Sequence, residues 1–185
     1  MDLLSEVIKS PALRRVVPTA PARAALLRDA RVLICGPKGF AFVDVEARAI
    51  VLSERYYADG NALDLYLDLL HELTHLRQLD QGYDLWDDRF SYIDRPTEVE
   101  AYSVAVEEGR RLGMSEPDVL EHLSNPWMSK AEVRRLLAHV DGFLAGGPLP
   151  NQAAALEGAP FKVHHPWRCP RPKPHGPRRA LRRAG

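Results

Sequence analysis

A chain of 185 residues, 45% hydrophobic and 27% charged, has room for one domain and a tail and excludes two full domains. No apolar run approaches the roughly 20 residues that span a bilayer, and two cysteines far apart, Cys35 and Cys169, make no disulfide framework. The formal net charge of zero hides an asymmetry: residues 161–185 carry eight Lys/Arg and no acid, which leaves the other 160 residues at −8.

In chain order, MDLLSEVIKSPALRRVV breaks its apolar residues with Ser5, Glu6 and Lys9 and offers no core for a secretory signal. A reducing, cytoplasmic setting is therefore expected. Residues 2–15 and 21–29 read as short helices separated by the prolines at 18 and 21. Arg31–Cys35, Phe40–Val45 and Ala49–Ser53 are short β-type runs, the first two divided by the turn Gly36-Pro37-Lys38-Gly39. Three short strands with tight connections predict an antiparallel meander. After residue 60 the periodicity is helical throughout, so the expected class is α+β: a small antiparallel sheet followed by a helical bundle.

The first long helix opens at Asn61, a good N-cap, and ends before Gly82; its leucines cover more than half of its circumference, which predicts burial. A second helix runs from about Thr97 to Leu112, with Thr97-x-x-Glu100 as a capping box. Ser115-x-x-Asp118 and Ser129-x-x-Glu132 open two more, the last ending near Val140. The expected domain is 1–142. Residues 143–185 hold eight of the 15 prolines and read as a linker and a basic tail without regular structure.

Chemistry concentrates in the leucine-rich helix, which reads His71-Glu72-Leu73-Thr74-His75. Two histidines four residues apart lie about 40° from one another around a helix and one turn apart along it, so both imidazoles reach one cation. Glu72 sits at the edge of that face, placed to take a proton without ligating. This is the H-E-x-x-H arrangement of zinc peptidases. A third protein ligand is needed. Gln78 and Gln81 stand where a metzincin continuation requires glycine and histidine. A glutamate of the next helix is the alternative, and Glu98 and Glu100 point about 200° apart. Glu98 leads the stripe Ala101, Tyr102, Ala105, Gly109, Leu112, whose small residues favour a close approach to the first helix; Glu100 is the fallback.

His71-Glu72-Leu73-Thr74-His75 followed by Glu98-Val99-Glu100-Ala101 resembles the gluzincin clan of zinc metallopeptidases, most closely its minimal cytoplasmic members, the mini-gluzincins and the ImmA/IrrE-like proteases. The resemblance covers residues 49–112. It implies zinc on His71, His75 and Glu98, Glu72 as general base, and an edge strand at Ile50, Val51 and Leu52 on which an extended peptide is laid. Tyr102 departs from the Asp or Asn that many members carry after E-x-x-A. The donor that steadies the oxyanion stays open among Tyr57, Tyr92, Tyr102, His122 and His139.

A competing reading is a zinc-stabilised regulatory or interaction protein with little turnover. The tail at 161–185 suits either a solvated extension or an arm for nucleic acid or another polyanion, and Trp167 adds one stacking side chain. His164, His165, Cys169 and His175 match no ordered zinc module, and Cys35 reads as a small core residue.

Overall fold

A computed structural model describes residues 7, 9–36 and 39–156. The basic tail, its histidines and Cys169 lie outside the described residues, as does most of the segment before Lys9. Among the described residues no helix is long and apolar enough to cross a membrane.

The fold is α+β, as expected from the sequence. Helix α1 (Pro11–Val16) starts where Ser10 accepts from the Leu13 amide at 3.4 Å, with proline in the first turn where its missing N–H costs nothing. Helix α2 (Ala20–Asp29) is capped by Thr19 and takes Pro21 into its own first turn, so that proline starts the helix and does not merely precede it. Strands β1 (Arg31–Ile34), β2 (Ala41–Asp44) and β3 (Ala49–Leu52) follow.

The sheet is mixed, and the antiparallel meander is corrected. Its order is β1-β3-β2: β2 and β3 form the expected antiparallel pair, but β1 runs parallel to β3, Arg31 opposite Ala49 and Ile34 opposite Leu52. The reason is burial. Ala49-Ile50-Val51-Leu52 is apolar at every position and buried on both faces, which suits a central strand, whereas β1 leaves Leu33 and Ile34 partly in solvent and suits an edge. Ile50, Val51 and Leu52 therefore do not form an edge strand. Their backbone is paired on one side with β1 and on the other with β2.

Helix α3 (Glu54–Asp59) leads to the long helix α4 (Ala62–Asp80), capped by the Asn61 carboxamide on the Leu63 amide at 2.8 Å. It ends in a Schellman turn, Tyr83 N–H to the Gln78 carbonyl and Gly82 N–H to that of Leu79, with Gly82 at φ +82. A 3₁₀ turn (Tyr92–Asp94) precedes helix α5 (Pro96–Arg111). That helix starts at Pro96 after Arg95, so Thr97 is already inside it and no Thr97–Glu100 capping box forms. Helices α6 (Glu116–His122) and α7 (Lys130–Leu144) begin with the two expected capping boxes. The ordered body runs past the expected limit at 142: Leu149 is buried against α5 and α7, the Asn151 carboxamide donates to the Asp94 carbonyl, and a short α8 (Gln152–Leu156) follows.

Helix α5 is the spine. Val104 and Ala105 face a core made by α1, the sheet and the α4 leucines, while Val99, Tyr102 and Val106 face a second core with α6 and α7. Small residues let α4 and α5 touch: a Cβ on Gly109 would lie 3.3 Å from Leu67 Cδ1.

Candidate metal centre

Helix α4 presents His71 and His75 one turn apart toward α5, and α5 answers with Glu98 from its first turn. The ring Nε2 atoms are 2.9 Å apart, and Glu98 Oε2 lies 3.4 Å from that of His71 and 3.6 Å from that of His75. All three residues are buried, and they are the only His/Cys/Asp/Glu group among the described residues with ligand atoms close enough to share a metal ion. A tetrahedral ion with bonds of about 2.0–2.1 Å separates its ligands by about 3.3 Å, close to these three distances. Two imidazole nitrogens and one carboxylate oxygen are also a donor set that suits zinc. Glu98 Oε2 and His71 Nδ1 are buried without a hydrogen-bond partner, and the carboxylate oxygen in particular calls for a cation at this point.

The charges agree. Burial alone would raise the Glu98 carboxyl, but the adjoining imidazoles overcome it and hold the group well below the usual carboxylate range. Burial, reinforced by His75, pushes His71 down; His75 is raised to about 9 against the same burial because the Glu98 carboxylate faces it. The site has a strong demand for one positive charge.

Gln78, which closes the metzincin route, has a different task. Its Oε1 accepts from His75 Nδ1 at 2.7 Å, which directs the Nε2 lone pair to the shared point. Its Nε2 donates to the Thr97 carbonyl and to Glu100 Oε2, both at 2.9 Å, and Glu100 is ion-paired with Arg77. Glu100, the fallback ligand, thus stands behind the site. It reaches His75 through Gln78 and does not join the ligand group.

Glu72 is 6% exposed and lines a cleft of about 520 Å³ that His71 also enters. Burial, helped by the nearby Glu98 and Asp68, raises its carboxyl to about 8. Of the candidate oxyanion donors, Tyr92, Tyr102 and His122 line this cleft. Tyr57 is an exposed residue of α3, and His139 is held by Asp94 at 3.0 Å; neither lines the cleft. The Tyr102 ring packs on His71 with centroids 4.3 Å apart, its hydroxyl is 2.8 Å from that of Tyr92, and Asn125 donates to it at 3.2 Å. Burial pushes both phenols above their ordinary range, so both keep their protons.

Sequence reasoning missed Gln78, Asp68 and Asn125. Gln78 and Asp68 were within its reach: each lies three residues from one of the two histidines on the same helix, the spacing that brings side chains together. Asn125 arrives from the α6–α7 loop and had no local signal. Cys35, expected in the core, is only half-buried.

Fold and site together define an α+β protein with a buried His–His–Glu group, capable of holding a metal, between two packed helices. The chain matches no known family, and no characterised protein or solved structure matches it.

Proposed function

We propose that this chain is a zinc-dependent peptidase of the gluzincin kind, with His71, His75 and Glu98 holding the ion and Glu72 acting as general base. The observation that carries the reading is the convergence of three ligand atoms within 4.8 Å of one another, two of them on the helix that also sets Glu72 into the adjoining cleft. Zinc held there supplies a Lewis acid that polarises a scissile carbonyl and makes water more acidic.

The chain's own residues do the rest. Glu72 takes a proton from the attacking water at its carboxylate and delivers it to the departing amine. Its buried position favours the protonated form between those steps. Tyr92 and Tyr102 line the cleft and keep their protons; one hydroxyl donates to the other, which leaves the second as the donor to steady negative charge on the carbonyl oxygen. An extended substrate finds its partner strand in β2, since β3 is internal and, of the two edges, β2 is the one that follows directly on Phe40 in the cleft lining. Ser53 N–H donates to the Phe40 carbonyl, so Phe40 and Phe42 point their backbone groups toward β3, and Ala41 and Val43 point theirs to the outer edge.

The test combines metal content with turnover. Purified protein is expected to hold about one zinc per chain. Glu72→Gln should retain it while losing hydrolysis of a peptide library by at least about a hundredfold. A metal-free parent, or a Glu72→Gln variant as active as the parent, overturns the proposal. A zinc-loaded parent that cleaves nothing would instead favour the regulatory reading.

A further inference from the structure

Beyond the metal ligands, the same cleft contains a group that the hydrolytic chemistry does not use. Asp64, Asp68, His71 and His75 fall on one stripe of α4, at spacings of four, three and four residues, so the two aspartates extend the line of ligands toward the N-terminal end of the helix. Across the cleft, α6 contributes His122, whose side chain is only 4% exposed. Its Nδ1 lies 3.1 Å from Asp64 Oδ1 and donates to it. The other ring nitrogen is Nε2. That nitrogen is buried without a hydrogen-bond partner and sits 3.8 Å from Asp68 Oδ1, too far for a hydrogen bond. The other Asp68 oxygen is taken by the Tyr56 hydroxyl at 2.5 Å.

Two aspartates and an unpartnered imidazole nitrogen thus converge on one part of the cleft, and carboxylate oxygens are the complement of an N–H donor carrying positive charge. The wider cleft has the same bias. Its lining includes Asp64, Asp68, Glu72, Asp118 and Glu121 and, among the described residues, no Lys or Arg. It also has apolar walls: Phe40, 49% exposed, packs edge-on against Tyr56, and Leu112, 46% exposed, lines it as well. Such walls suit the aliphatic stem of a long basic side chain whose head reaches the aspartates.

We propose that Asp64, Asp68 and His122 form a subsite for the ammonium or guanidinium group of a lysine or arginine near the scissile bond, so that the preferred substrates are basic peptides. The inference rests on the peptidase reading for the word substrate, but the subsite itself binds with or without turnover.

The experiment uses two alanine-based octapeptides, blocked at both ends and identical except for one central residue, arginine or its neutral isostere citrulline. Binding to the full-length Glu72→Gln chain is measured by calorimetry, and cleavage is measured with the parent. The arginine peptide is expected to bind about tenfold to a hundredfold more tightly, the range for a charge-assisted hydrogen bond. Adding Asp68→Asn or Asp64→Asn should bring the ratio toward one. Asp64 is 41% exposed, so its substitution keeps the test available if the more buried Asp68 variant does not fold. Equal affinities in the Glu72→Gln chain, or an arginine preference that survives both aspartate substitutions, overturns the subsite. Arginine-selective binding without cleavage of either peptide supports the subsite and overturns the peptidase; cleavage of both without selectivity does the reverse.

Discussion

Gln78 accepts the hydrogen of His75 Nδ1 and is itself held by its bonds to Thr97 and Glu100. A histidine so fixed has one tautomer and one ring orientation, which raises its worth as a ligand. Gln78→Leu keeps a side chain of similar size but removes all three bonds, and zinc affinity in a competition with a chromophoric chelator is expected to fall about tenfold to a hundredfold. Unchanged affinity would mean that the contact does nothing for the metal. The two glutamates separate cleanly in the same assay. Glu98→Gln should abolish stoichiometric binding, while Glu100→Gln should keep the ion with reduced affinity, because only Glu98 places an oxygen beside both imidazoles.

At the scale of elements, α4 carries the site and its ends decide where its stripe points. The Asn61 cap fixes the start, and the Schellman turn at Gly82 fixes the finish. Gly82 has φ +82, and a Cβ there would meet nothing within 4 Å, so Gly82→Ala tests backbone strain alone. A cost of about 1–2 kcal/mol is expected, read from urea unfolding of the chelated protein. Zinc stoichiometry should survive, since His71 and His75 are anchored earlier in the helix. The strands teach the complementary lesson. Short β-type runs and turn signals located all three, but they carry no information about which strand occupies the middle.

For the whole molecule, α5 joins two cores, and a buried carboxylate ties it to α4. Glu108 is fully buried, accepts from the Tyr66 hydroxyl at 2.8 Å, and is paired with Arg111. Burial would raise its carboxyl, but the bonds from Arg111 and Tyr66 win and hold it below the ordinary value of 4.5. A carboxyl depressed in the folded state contributes stability above its unfolded value, and that contribution is lost as pH falls through the folded one. Thermal unfolding of chelated protein should therefore show stability declining below about pH 4.5. Glu108→Gln should flatten part of that decline while lowering stability at pH 7 by about 1–3 kcal/mol. A decline with the same slope in the variant would remove Glu108 from the account.

What the sequence determined by itself was local. Spacings of three and four residues placed His71, Glu72 and His75 on one buried helix, and serine-to-acid spacings marked the starts of α6 and α7. The small-residue stripe led by Glu98 singled out that glutamate by the same helical arithmetic. Tertiary structure decided what depends on distant segments meeting. It put β3 inside the sheet, took Glu100 for Arg77 and Gln78, brought Tyr92 and Asn125 to Tyr102, and set His122 opposite Asp64 and Asp68. The physical reason is that helix periodicity is written in neighbouring residues, whereas strand order and cross-cleft partners are chosen by burial and charge summed over the whole fold.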